Sequence, residues 1–169
     1  QWSTDHDEFA FLPRKFKVAV VGSDQDRAVT KMHDVGLKLV RDVNGTKGYE
    51  VSVGGGLGRT PMVGRVLREF LPREDLLPYL EAVLQVYNLL GRRDNKYKAR
   101  IKITVHEMGL TQLRDLVEGN FKNQRALFNG ADQVQLHRIE ADFQTPDYVV
   151  LPMTDFDIER ARNPAFLSF

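Results

Sequence analysis

Two lysines stand either side of an aromatic residue in Arg14-Lys15-Phe16-Lys17, directly ahead of the apolar run Val18-Ala19-Val20-Val21. In extended backbone successive side chains alternate faces, so Lys15 and Lys17 share one face while Phe16, Val18 and Val20 share the other. At ~3.3 Å per residue the two ammonium groups lie roughly 6.5–7 Å apart along the strand, a spacing that suits convergence on one anion. The same residues also fit a solvated strand edge whose opposite face packs the core, and the residues alone leave both open.

A second candidate is Val53-Gly54-Gly55-Gly56-Leu57-Gly58-Arg59-Thr60-Pro61. Three successive residues without a Cβ let backbone come close to a flat or charged ligand. The pattern is not a dinucleotide fingerprint, because the sixth position counted from Gly54 is Arg59. Nor is it a phosphate-binding P-loop, because Gly-Lys-Ser/Thr is missing. A third candidate is basic: Arg92, Arg93, Lys96, Lys98, Arg100 and Lys102 surround a single acid, Asp94. The last four of these repeat at period two. As a strand they make one positive face, and as a helix they spread over two. Either form can take phosphate, carboxylate or nucleic acid, or can be a basic surface balanced by acids elsewhere.

Other chemistries find no residues. The four histidines, His6, His33, His106 and His137, do not pair at metal-ligand spacing on one element, so no metal site is expected. His33-Asp34 reads as structural. There is no cysteine, which excludes disulfides, a thiol nucleophile and cysteine-ligated clusters within these 169 residues. Neither a G-x-S-x-G elbow nor a paired-carboxylate signature is present. A net charge of +1 gives no global argument for nucleic acid or membrane. No apolar stretch reaches the ~18–20 residues that cross a bilayer, and the acidic start has no signal-peptide character. A cytoplasmic location is the expectation.

The elements that must position these residues follow from periodicity and punctuation. With 42% hydrophobic and 28% charged residues, the composition suits one globular domain with a core and an appendage. Residues 1–11 read as an extended lead-in. Strands are expected over 15–21, 37–42 and 47–53, the last two joined by Val43-Asn44-Gly45-Thr46, where Asn-Gly is a strong hairpin signal. A short helix is expected over 26–34 and a loop over 54–62. Further helices are expected over 63–70, 76–90, 110–125 and 134–143. Beyond 129 the character changes: Pro146, Pro152 and Pro164 interrupt the chain, with a short strand possible over 148–151. The expected fold is therefore α+β: a mixed, largely antiparallel sheet of about four or five strands covered by helices. Residues 12–128 form its body and 129–169 a connector or satellite. A first residue that is not Met, and a helical run reaching Phe169, suggest a piece of a longer polypeptide.

Four segments in this order carry a resemblance: residues 12–17, His33-Asp34-Val35-Gly36, residues 53–61, and the stretch from Arg93 to Lys102. Together they resemble the nitrite and sulfite reductase hemoprotein family over about 12–125. The resemblance implies siroheme coupled to a four-iron, four-sulfur cluster, and six-electron reduction of sulfite to sulfide or nitrite to ammonia. It also implies a polypeptide of two related halves, with this chain similar to the siroheme domain of the first. By position, Arg14 is implied at the cofactor, with Lys15 and Lys17 as the catalytic cations near the bound anion. Gly54, Gly55, Gly56, Leu57 and Arg59 are implied against the macrocycle, and Arg100 and Lys102 beside it. The implied partners are the second half of the polypeptide and a ferredoxin or flavoprotein electron donor. The resemblance places the cluster cysteines in that second half and implies further anion-gripping arginines upstream of residue 1. The chain alone is thus expected to hold no cofactor and to be inactive. The alternative is a non-catalytic anion- or nucleic-acid-binding module using the basic segment 92–102.

Overall fold

The computed structural model describes residues 2–150, 152–163 and 165. The chain divides into two compact units, residues 1–130 and residues 131–169.

The first unit is built on a four-stranded sheet in the order β1 (Val18–Val21), β2 (Val35–Arg41), β3 (Lys47–Val53), β4 (Arg65–Pro72). β1 pairs with β2 in parallel, while β2–β3 and β3–β4 are antiparallel. Helices α1 (Leu76–Leu90), α2 (Ile101–Met108) and α3 (Leu110–Leu127) complete the unit. The α+β class, with a mixed and largely antiparallel sheet, is as expected. The core joins Val35, Leu37, Val51, Val53, Leu67 and Leu71 of the sheet to Tyr79, Val83, Tyr87, Ile101, Leu113 and Val117 of the helices.

The β2–β3 hairpin forms where Asn-Gly predicts it. Asp42 accepts from Asn44 N–H and Thr46 N–H, both at 2.8 Å, and Gly45 takes a left-handed φ of 81°. α1 spans the residues its apolar periodicity marks, and Gly91 follows it.

Several expectations are corrected. Residues 63–70 are not helical; β4 occupies Arg65–Pro72. Leu67 and Leu71 are both buried, and a separation of four satisfies helical and strand periods alike. Residues 26–34 form only a 3₁₀ turn, Thr30–Met32. Asp26 accepts from Thr30 N–H and Thr30 Oγ1, and Val29 takes a φ of 49°, so a side chain closes the turn in place of a helical ladder. β1 begins at Val18 rather than at residue 15, because Lys17 N–H bonds a carboxylate instead of the ladder. Val18 and Val20 are exposed on this edge strand, and Val21 is the buried residue. The lead-in is not extended: Asp7–Phe11 form a 3₁₀ helix, and Trp2 and Phe9 pack against the core with Phe16.

The second unit contains α4 (Gln133–Asp142), capped by Asp132 through Val134 N–H and Gln135 N–H, and α5 (Met153–Arg162). No side chain described in α4 is buried. Residues 148–150 form no strand; Leu151, Pro164 and Phe169 lie outside the described residues.

Candidate anion and cofactor site

Asp34 precedes β2 and is 1% exposed. A buried carboxylate must be paired and hydrogen-bonded to be tolerated. Arg100 donates to it through Nε at 3.0 Å and Nη2 at 2.7 Å, a bidentate pair that fits the planar fork to the planar acid. Lys17 N–H donates to the same carboxylate at 3.0 Å. The Asp34 carbonyl accepts from Gly54 N–H at 2.9 Å. One residue therefore ties the start of β1, the glycine loop and the N-terminus of α2 together.

Tyr87 braces this arrangement from α1. Its hydroxyl donates to Ala99 O at 2.6 Å and lies 3.3 Å from Arg14 O. Burial, seconded by the Asp34 charge, pushes its phenol up to about 12.

The glycine loop is shaped by its own neighbours. Gly54 has a φ of 83°, and Gly55 lies where a Cβ would overlap the backbone oxygens of Lys31 and His33. At Gly56 a Cβ would meet Lys102 Cδ at 3.0 Å and Arg100 Nη2 at 3.2 Å. All three glycines are buried, while Leu57 and Arg59 are exposed. Gly56 and Met62 exchange two backbone hydrogen bonds of 2.9 Å, closing the loop. Inside it sits the Lys102 ammonium, donating to Thr60 O at 2.6 Å, Leu57 O at 3.0 Å and Gly56 O at 3.5 Å. Burial, and then the Arg100 charge, lower the Lys102 ammonium below the usual lysine range. Lys102 also lines a cleft of about 300 Å³ with Gly54, Met62, Arg65 and His106.

The cations expected at this site fall into two groups. Arg14 is half-buried and donates to Lys96 O at 2.6 Å, and Arg100 and Lys102 are spent on Asp34 and on the loop carbonyls. Lys15 and Lys17 are exposed, with Phe16 turned toward the core between them. Their ammonium groups, like the Arg59 guanidinium, have no hydrogen bond or ion pair among the described residues.

The basic segment does not form one positive face. Arg92 is paired with Asp94 at 2.7 Å and Glu107 at 3.2 Å, which holds the Asp94 carboxyl below its usual range. Arg93 donates to Phe11 O and to Asn88. A 3₁₀ turn, Lys96–Lys98, gives way to α2 at Ile101, so the period-two pattern crosses a change of element. Lys96 and Lys98 remain exposed.

Asp34 is the residue that sequence reasoning passed over as structural. Its signal was a lone acid ahead of an apolar strand; its partners lie 17 and 66 positions away in the chain.

The family model described as the nitrite and sulphite reductase 4Fe-4S domain matches residues 1–125. A sulfite reductase [ferredoxin] 1 of Mycolicibacterium paratuberculosis is 33% identical over 138 residues, covering 82% of this chain and 24% of that protein. An assimilatory ferredoxin-dependent nitrite reductase of Haloferax mediterranei is 33% identical over 122 residues, covering 69% of this chain and 21% of that protein. The solved structure of the Mycobacterium tuberculosis NirA protein superposes with a TM-score of 0.63 at 28% identity, covering 69% of this chain and 21% of NirA. The chain thus spans between a fifth and a quarter of the length of these relatives, and it belongs to the nitrite and sulphite reductase family.

Proposed function

We propose that this chain supplies one cationic wall of a siroheme-dependent sulfite or nitrite reductase, an oxidoreductase reducing sulfite to sulfide or nitrite to ammonia by six electrons. The rest of such a polypeptide carries the remaining site residues, and a redox protein such as ferredoxin delivers electrons. The chain alone is inactive on this reading, and the wall works in the cytoplasm.

The donor set separates the two groups that family membership implies. A four-iron, four-sulfur cluster is held by thiolates, and this sequence has none to offer, so the cluster does not fit these residues. Siroheme carries eight carboxylates, and Lys15 and Lys17, exposed on backbone bonded to the Asp34–Arg100 pair and unpaired among the described residues, suit such a rim, as does exposed Arg59 of the glycine loop. Electron supply belongs to those groups when bound.

The protein residues do the rest. Lys15 and Lys17 hold the charge of a small oxyanion and present ammonium hydrogens to its oxygens, where each oxygen that leaves as water consumes protons. Arg14, Leu57 and Arg59 would hold the periphery of the cofactor when it is bound. Arg100 and Lys102 serve it through the glycine loop, whose carbonyls and small residues they brace.

One observation carries the reading: two unshared ammonium groups flank a core-anchored phenylalanine, on backbone bonded to the carboxylate that also fixes Arg100. Uroporphyrin, a tetrapyrrole with carboxylates around its rim, is a suitable fluorescent probe. One wall does not retain siroheme, but at low salt it should bind this probe weakly and in a salt-sensitive manner, with Lys15→Ala/Lys17→Ala weakening binding about tenfold. Equal affinity of the double variant and the wild type would refute the assignment.

A further inference from the structure

We propose that Asp34 is the positioning residue of this site, setting the Lys15–Lys17 segment in register with the glycine loop. The inference rests on the reading of the anion site given above.

Four bonds converge on this residue. Its carboxylate takes Lys17 N–H at 3.0 Å, Arg100 Nε at 3.0 Å and Arg100 Nη2 at 2.7 Å, and its carbonyl takes Gly54 N–H at 2.9 Å. At 1% exposure it cannot exchange these partners for water. Lys17 O in turn accepts from Val35 N–H at 3.1 Å, so both sides of the Lys17 backbone are held by adjacent residues of one strand entry. The consequence is mechanical. The chain leading into β1 lies outside the ladder at residues 15–17, and the Asp34 carboxylate replaces the ladder bond there. Without it the Lys17 N–H has no acceptor, and the two lysines sit on a segment held by Phe16, by the Lys17 carbonyl bond and by the Arg14 contacts alone.

Charge and position make opposite forecasts, which allows a clean test. Asp34→Asn and Asp34→Ala each remove one negative charge beside Arg100 and raise the local positive potential alike. Only asparagine keeps an oxygen able to accept from Lys17 N–H. If Asp34 acts through charge alone, both variants bind uroporphyrin more tightly, by the same factor. If it positions the lysines, Asp34→Ala binds about tenfold more weakly despite the added positive charge, and Asp34→Asn recovers part of that loss. Val117→Ala, which opens the buried core face of α3, is the control for lowered stability; it should leave uroporphyrin affinity unchanged.

Amide hydrogen exchange by NMR reads the same role without ligand. Lys17 N–H should exchange fast in Asp34→Ala and slowly in Asp34→Asn and the wild type. Gly54 N–H, bonded to a backbone oxygen that no substitution removes, should stay slow in all three. The inference is overturned by tighter uroporphyrin binding in both Asp34 variants, by a Val117→Ala loss matching that of Asp34→Ala, or by slow Lys17 exchange in Asp34→Ala. A wild-type chain that ignores uroporphyrin while the exchange pattern holds would sink the proposed function and leave the positioning bond standing.

Discussion

The inner and outer cations of the site have the same formal charge and different employment. Arg100 and Lys102 are buried or half-buried and saturated by acceptors of this chain, namely Asp34 and three loop carbonyls. Lys15 and Lys17 are exposed, and their ammonium groups have no partner among the described residues. A buried cation without an acceptor would be prohibitive, so the inner pair builds the frame. An exposed cation needs no partner, so the outer pair is free to take one. What separates building from binding here is desolvation, and residue type alone does not reveal it.

Four variants break or sharpen that contrast in stability, measured by urea unfolding at neutral pH. Arg100→Ala should be the most damaging, at about 3–5 kcal/mol, because it strands the Asp34 carboxylate in the interior. A loss below ~1 kcal/mol would mean that water reaches Asp34 and that the frame is not closed. Lys102→Met keeps the stem against Gly56 and removes the ammonium from three carbonyls; about 1–3 kcal/mol is expected, with faster amide exchange over 56–62. Tyr87→Phe should lose about 1 kcal/mol with its hydroxyl bonds. The double change Lys15→Ala/Lys17→Ala should stay within ~0.5 kcal/mol of the wild type while showing the large loss of anion affinity.

The Tyr87 contribution also has a pH signature. The folded phenol titrates near 12 and the unfolded one near 10, so deprotonation favours the unfolded chain first. The stability it adds is whole below pH 10 and is lost as the pH climbs toward 12. The gap in stability between wild type and Tyr87→Phe should therefore close over that interval. A gap that stays constant would place the phenol in contact with solvent.

How much of this was legible beforehand differs by the range of the interaction. Short-range signals read well. Asn44-Gly45 marked its hairpin, the apolar spacing of α1 gave its bounds, and the alternation from Lys15 gave the exposed lysine pair, although Val18 and Val20, placed on the same face as Phe16, are exposed as well. Errors arose where two local rules agreed on the wrong answer or a side chain intervened. Leu67 and Leu71 fit both periods, so β4 looked helical, and the Asp26 bonds to Thr30 turned an expected helix into a single turn. The candidate site was half legible. Its outer cations stand in one short motif, whereas Asp34 becomes central only when folding brings Lys17, Gly54 and Arg100 around it. The commitment of the basic segment was hidden for the same reason. Glu107 and Asn88, which take up Arg92 and Arg93, belong to helices whose packing the sequence does not display.

The most direct measurement is an NMR map of uroporphyrin on the 169-residue chain. Amide shifts centred on residues 14–17 and 56–60 are expected, vanishing in Lys15→Ala/Lys17→Ala. Shifts confined to residues 92–98 or to 131–162, unchanged in that double variant, would contradict it.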